Sequence, residues 1–299
     1  MPENPSAEKD ENDRRWLILR ARVYEEKLKE AFRLFRSEGV EPILIKGWAA
    51  AREYPAAYAR IYNDIDFCVE PQVYERCLAF ISSEEGRKLG IDLHAGFRHH
   101  DTLAWDDLYE NSRLVALDGV EIRILRPEDH FRVLCVHWLT DGGGYRERLL
   151  DLWYLLKNHE DDFDWERCLG KLSAARRGWI VKTVAVIDRE HRLDRAKIPF
   201  AGELDRIPGW LTRTLAKEWA TATRLLPLQT VIGDRRALWQ QIRKRIPPNA
   251  IQATIEMEGR FDDSPRICYQ LGSVYARVRP SVRRILGALR IGKNTGDRK

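Results

Sequence analysis

From Asn12 to about Ser37 the apolar residues Trp16, Leu17, Leu19, Val23, Leu28, Ala31, Phe32, Leu34 and Phe35 recur at helical spacing, and Glu38-Gly39 ends the run. The pattern predicts a long amphipathic opening helix. Pro42-Ile43-Leu44-Ile45 is a short apolar run fit for a buried strand, Lys46-Gly47 a turn, and Trp48 to Tyr54 a short helix closed by Pro55. Asp64 to Val69 alternates polar and apolar residues at period two, which predicts a strand. A helix from Pro71 to about Ile81 follows, then a third strand over Gly90-Ile91-Asp92-Leu93-His94. Arg113 to Leu117 and Val120 to Ile124 flank Asp118-Gly119, the strongest short hairpin signal in the chain.

After Pro127 the period changes. Pro127-Glu128-Asp129 opens a helix with early acids, Asp141-Gly142-Gly143-Gly144 breaks it, and a helix from Tyr145 to about Asn158 follows. Further helices are predicted near Trp165 to Ala175, Trp179 to His191, Leu211 to Leu225, Ala237 to Arg245 and Ser281 to Leu289, with prolines between them. Strands confined to the first part of the chain and helices thereafter predict an α+β fold: a small mixed sheet with flanking helices, then an all-helical C-terminal region. The expected division is an N-terminal helix over 1–38, a core over 39–126 and a helical domain over 127–299.

Composition narrows the class. At 299 residues, with 44% apolar and 32% charged residues, the chain can bury a sizeable core. No apolar run approaches the roughly 18 to 20 residues of a membrane helix, and the polar start lacks a secretory signal, so a soluble, cytoplasmic protein is expected. Cys68, Cys77, Cys135, Cys168 and Cys268 are scattered and odd in number, which suggests neither a disulfide framework nor a zinc knuckle. The net charge of +5 is a modest pull toward anions, but from Arg266 onward nine Lys or Arg face one acid, Asp297. That tail, with Arg277, Arg279, Arg283, Arg284 and Arg290, suits RNA or an acidic partner; a plain solvated tail is the alternative.

The chemistry concentrates between residues 46 and 92. On a strand, Asp64 and Asp66 present both carboxylates to one face, while Ile65 and Phe67 take the other. Two acids so placed repel unless a cation sits between them, and Mg2+ suits them because it prefers oxygen and commonly takes one or two carboxylates with phosphate oxygens. Asp92, on a strand that would neighbour theirs, adds a third acid to ligate a second metal or act as base. Gly47 lets phosphate approach backbone N–H groups, and Lys46 or Arg60 would add positive charge. Arg60, four residues before Asp64, either reaches those phosphates or pairs with an aspartate.

Leu44-Ile45-Lys46-Gly47, Tyr54-Pro55, Arg60, Asp64-Ile65-Asp66, Ile91-Asp92-Leu93-His94 and Pro127-Glu128-Asp129-His130 together resemble the uncharacterised bacterial nucleotidyltransferase family of the DNA polymerase β-like superfamily. The likeness spans about residues 40 to 158 and includes Cys135, His137, Arg148, Leu149 and Asp151. It implies two Mg2+ ions (Mn2+ as the substitute), a nucleoside triphosphate donor such as ATP, and in-line attack on the α-phosphate with pyrophosphate leaving. Carried over, Asp64 and Asp66 are metal ligands, Asp92 the third carboxylate, and Lys46 with Gly47 the phosphate loop. One departure is Trp48, where the superfamily usually has a small residue after its glycine; a bulky side chain there would narrow the nucleotide pocket.

His94, His99 and His100 match no zinc spacing, and His94, on the face of Asp92, suits phosphate contact or solvation. His130 and His137, seven apart, share a helix face, where His137 either reaches the nucleotide or is a hydrogen-bonded core residue. The implied activity is transfer of a nucleoside monophosphate to a small molecule, a peptide or protein side chain, or an RNA end. The competing class is a non-catalytic nucleotide- or partner-binding regulatory protein that keeps the fold, and clustered like charges argue against it.

Overall fold

The computed structural model describes residues 5–97, 100–221 and 233–277. It is mixed α+β, with a five-stranded sheet and flanking helices in the N-terminal half and a helical C-terminal region. The chain forms two compact units: one of Met1–His137, Glu147–Leu172 and Ile187–Ala201, the other of Trp138–Arg146, Ser173–Val186 and Gly202–Lys299.

The first unit is built on the order β3-β2-β1-β5-β4, from β1 (Ile43–Ile45), β2 (Ile65–Val69), β3 (Ile91–Ala95), β4 (Arg113–Leu117) and β5 (Val120–Ile124). β1 pairs antiparallel with β2 and parallel with β5, β2 parallel with β3, and β4 antiparallel with β5. The β4–β5 hairpin has the predicted register, and its turn needs positive φ at both Asp118 (44°) and Gly119 (82°), which Asp-Gly tolerates.

The long helix α1 (Pro5–Ser37) covers one sheet face with Leu28, Ala31, Phe32 and Phe35, a stripe at helical spacing. Phe67 of β2 meets Phe32 and Phe35 edge-on, with ring centroids 4.9 and 5.1 Å apart. Ile43, Ile45 and Cys68 point the other way, into a second cluster with Leu108, Leu125 and Val133. β2 is therefore buried along its whole length, and the only charged side chain in it, Asp66, is 3% exposed. A buried carboxylate there requires partners.

The two short helices expected after Lys46-Gly47 and from Pro71 are present, and a third is new. α2 (Gly47–Ala51) follows β1 directly; α3 (Tyr74–Ile81) follows a 3-10 turn that begins at Pro71; and α4 (Glu84–Leu89) was not predicted. The Ser83 side chain caps α4 by accepting from the Gly86 N–H, and left-handed Gly90 (φ 70°) ends it and turns the chain into β3. α5 (Trp105–Glu110) was also unpredicted.

Beyond the sheet come α6 (Pro127–Thr140), α7 (Leu149–Asn158), α8 (Trp165–Leu169) and α9 (Ala174–His191). The single helix expected from Trp165 to Ala175 is split, because α8 ends at Gly170 and α9 starts at Ala174. Arg132 of α6, 1% exposed, is held by Asp101 and Asp129 at 2.8 and 2.6 Å; Arg167 of α8 also grips Asp129, at 2.9 Å, and its carbonyl accepts from Arg132. This buried network ties α6, α8 and the loop at Asp101 together.

The second unit contains α10 (Gly209–Ala220), α11 (Arg235–Arg245), α12 (Ala250–Glu256) and a helical stretch over 267–277. Residues 278–299, with most of the basic tail and the helix expected at Ser281 to Leu289, lie outside the described residues, as does the end of the helix expected to reach Leu225. Among the described residues no helix is long and apolar enough to cross a membrane. Four of the cysteines are buried thiols, and Cys268 is exposed.

Candidate active site

The strand register gathers the acids. Asp66 lies opposite Ile45 of β1 on one side and opposite Asp92 of β3 on the other, and the β2–β3 pairing is parallel, so the two carboxylates start side by side on one face. His94, two residues along β3, shares that face. Its Nε2 lies 3.4 Å from Asp66 Oδ1 and 3.5 Å from Asp92 Oδ2. Asp66, Asp92 and His94 thus place one ligand atom each within 4.8 Å of one another, the one such group of acids, histidines and cysteines among the described residues. Asp64 stands one residue before β2, at a partly shielded rim, and is outside this group.

Lys46 closes the site from β1. Its Nζ sits 2.6 Å from Asp66 Oδ1, with both side chains buried. Burial pushes the Asp66 carboxyl up, but the His94 contact and the Lys46 ammonium outweigh it and hold the group below the usual carboxylate range. Asp64 is shifted the other way: burial raises it first, the charges of Asp66 and Asp92 raise it further, and Lys46 offsets only part. Negative charge at this sheet end therefore exceeds what the chain itself neutralises.

The backbone at Lys46 is left-handed (φ 57°), and Gly47 continues at φ 30°. The Lys46 N–H donates to Nε2 of His130 on α6 at 3.1 Å, so His130 carries its proton on Nδ1. Burial drives the His130 pKa down to about 4 and keeps the ring neutral as an acceptor. A Cβ at Gly47 would touch the Asp64 carbonyl and the Tyr62 ring only at ordinary contact distance, 3.5 and 3.6 Å, so it is the positive φ that favours glycine here. Trp48 turns into the α1 core cluster and is 5% exposed.

Arg60 is engaged elsewhere. Its Nε and Nη2 bind Asp151 Oδ1 and Oδ2 of α7, both at 2.7 Å, and the Tyr54 hydroxyl donates to the same Oδ1 at 2.7 Å. Of the two roles open to Arg60, pairing with an aspartate is the one this geometry displays; the partner is 91 residues away. His137, on α6, contacts Nη1 of Arg148 at 3.0 Å through Nε2, and burial with the nearby Lys46 and Arg148 charges lowers its pKa to about 3. Its ring stands 5.8 Å from that of His100, which stands 6.0 Å from that of His94.

The structure thus brings Lys46, Asp66 and Asp92 together with Gly47 beside them, leaves Asp64 at the rim and turns Arg60 to Asp151. His94 was visible on the Asp92 face but not as a partner of Asp66. Its two-residue offset from Asp92 repeats the spacing of Asp64 and Asp66, and that was the available signal.

Two carboxylates and an imidazole on one face, with negative charge left over at Asp64, form a donor set suited to a divalent cation that prefers oxygen, and Mn2+ tolerates the nitrogen well. Zinc sites draw on more nitrogen or sulfur. No curated protein and no solved structure matches the chain. Residues 3–88, which carry Lys46, Gly47, Arg60, Asp64 and Asp66 but not Asp92, match the family model described as an uncharacterised nucleotidyltransferase, a family of the kind the motif series resembles.

Proposed function

We propose that the protein is a divalent-metal-dependent nucleotidyltransferase that moves a nucleoside monophosphate from a nucleoside triphosphate to an acceptor, a small molecule, a peptide or protein side chain, or an RNA end. The observation that carries this reading is the register of Asp66 with Asp92, with His94 in contact with both and Lys46 on Asp66. In this reading Asp66, Asp92 and His94 would hold a metal ion, and its charge would offset the repulsion that the Asp64 carboxylate feels from Asp66 and Asp92. Mg2+ or Mn2+ there would neutralise phosphate charge and lower the pKa of an acceptor hydroxyl.

The chain's own residues do the rest. An acceptor oxygen forms a bond to the α-phosphorus, the bond from that phosphorus to the bridging oxygen of the β-phosphate breaks, and pyrophosphate leaves with the electron pair. The acceptor proton passes to a carboxylate of the cluster, and Asp92, 56% exposed at its side chain, is the accessible one. With a cation holding Asp66, the Lys46 ammonium would be free to reach the phosphates, its backbone N–H held by His130. Arg60 acts by anchoring the loop that enters β2 rather than by touching phosphate.

The Lys46–Asp66 pair also favours the second reading, a nucleotide-binding protein without turnover, in which the ammonium permanently replaces the cation. One experiment separates the two. The protein is incubated with labelled nucleoside triphosphates, Mg2+ or Mn2+ and fractionated cell extract, and the labelled species is identified. Transfer that disappears with Asp64→Ala plus Asp66→Ala supports catalysis. Transfer that survives the double substitution contradicts it, and tight nucleotide binding without transfer in any fraction favours the binding protein.

A further inference from the structure

The sheet end that carries the acids does not stop at β1. Asp92 and Asp66 lie near the starts of β3 and β2, Ile45 ends β1 opposite Asp66, and Ile124 ends β5 opposite Arg113, which opens β4. Acids therefore occupy one side of this end and a base the other. Three strand spacings of ~4.8 Å put the β2 and β4 backbones about 14 Å apart.

Beside Arg113 is a cavity of about 80 Å3, lined on its apolar side by Ala49, Val115, Ile124, Leu125, Pro127 and Leu155. Its polar lining is Arg52, Arg113, Glu53, His130 and His159. Two guanidiniums line it, and among the described residues neither forms an ion pair. Arg52 lies over the face of Trp48, 5.4 Å away, and the Glu53 carboxylate is hydrogen-bonded by Asn158 at 2.8 Å and faces His159 at 3.6 Å. Burial lowers the Arg52 pKa; the pull of Glu53 offsets part of that, and repulsion by Arg113, the smallest of the three, adds to it. Two guanidiniums on the wall of one cavity offer an anion charge-assisted hydrogen bonds from both sides. By contrast, Arg60, Arg132 and Arg167 of the same unit are each paired with acids.

We propose that this cavity binds the phosphate or carboxylate group of a small molecule, held between Arg52 and Arg113 with its apolar part against Val115, Ile124 and Leu155. His130 makes the site relevant to the acidic end: it lines the cavity and holds the Lys46 N–H at 3.1 Å, while Lys46 holds Asp66. An anion at Arg52 and Arg113 would thus sit one side chain from the residue that positions Lys46. The binding site itself does not depend on the nucleotidyl-transfer reading. The anion comes either from the donor's phosphate chain or from a separate molecule, an acceptor or an effector.

The test is calorimetric titration with inorganic phosphate, without divalent cations and at fixed ionic strength, of the full chain and of Arg52→Gln, Arg113→Gln, their combination and Asp66→Asn. Saturable binding is expected, weakened about tenfold or more by either arginine substitution and left in place by Asp66→Asn. Both arginines are exposed and lose no ion pair on substitution, so the variants should keep the parent's thermal unfolding. A second arm adds ATP with Mg2+: mutual exclusion of ATP and phosphate, with ATP weakened by Arg113→Gln, assigns the site to the donor. Simultaneous binding, with ATP affinity unchanged by Arg113→Gln, assigns it to a separate anion. Absence of saturable phosphate binding, or equal affinity in the double-arginine variant, overturns the proposal.

Discussion

The Lys46 ammonium lies 2.6 Å from Asp66 Oδ1, the oxygen that His94 Nε2 approaches to 3.4 Å. Lysine is thus the counter-charge of a carboxylate that a divalent cation would otherwise hold. Lys46→Met should leave Asp66 buried without its cation and destabilise the metal-free protein by about 3 kcal/mol. Mn2+ should restore much of that loss, and more of it than Mn2+ adds to the parent protein. Chemical denaturation with and without Mn2+ measures both, and an equal effect of Mn2+ on parent and variant would contradict the shared position.

Asp64 has the opposite character. Its pKa is raised by burial and by Asp66 and Asp92, so its charged form is disfavoured in the folded chain at neutral pH. Asp64→Asn should therefore raise the thermal midpoint of the metal-free protein at pH 7 while weakening Mn2+ binding several-fold. A lower midpoint without metal would show that the repulsion is relieved in some other way.

The buried histidines set a pH window. His130 and His137 have pKa values of about 4 and 3 in the fold, against about 6.5 unfolded, so the unfolded chain binds more protons in between. Each ring contributes stability that is full above pH ~6.5 and falls as pH drops toward the folded value, by up to about 1.4 kcal/mol per pH unit. His130→Gln should remove one such slope between pH 6.5 and 4. Unfolding free energies measured at pH 7 and pH 5 check it, and an unchanged difference in the variant would contradict the neutral, accepting His130.

Asp151 carries more than its position on α7 suggests, since it takes two bonds from Arg60 and one from Tyr54. Asp151→Ala should cost about 3 kcal/mol by stranding a largely buried guanidinium, and Arg60→Ala with Asp151→Ala less than the two single losses added. Additivity in that cycle would mean that the pair does not act as a unit.

The sheet was legible wherever periodicity or turn chemistry marked it: the Asp118-Gly119 hairpin, a strand through Asp66 and the α1 stripe at Phe32 and Phe35 all occur, although β2 is buried on both faces and starts after Asp64. Helices of five to seven residues such as α4, α5 and α12 are too short to show a period, although Ser83 and Gly90 bracket α4 as cap residues. Asp66 facing Asp92 followed from placing their strands together. The Lys46 contact did not, because it depends on β1 running antiparallel to β2. Arg60 with Asp151, and His130 with Lys46, join residues 91 and 84 apart, and no local pattern encodes a partner at that range.

Transfer of the α-phosphoryl group with its nucleoside is read out by position-specific labelling. Parallel reactions with α-labelled and γ-labelled nucleoside triphosphate, Mn2+ and cell extract should move label to the acceptor from the α position only, release the γ label as pyrophosphate, and fail with Asp66→Asn. Acceptor labelling from the γ position, or α transfer undiminished in Asp66→Asn, would contradict the account.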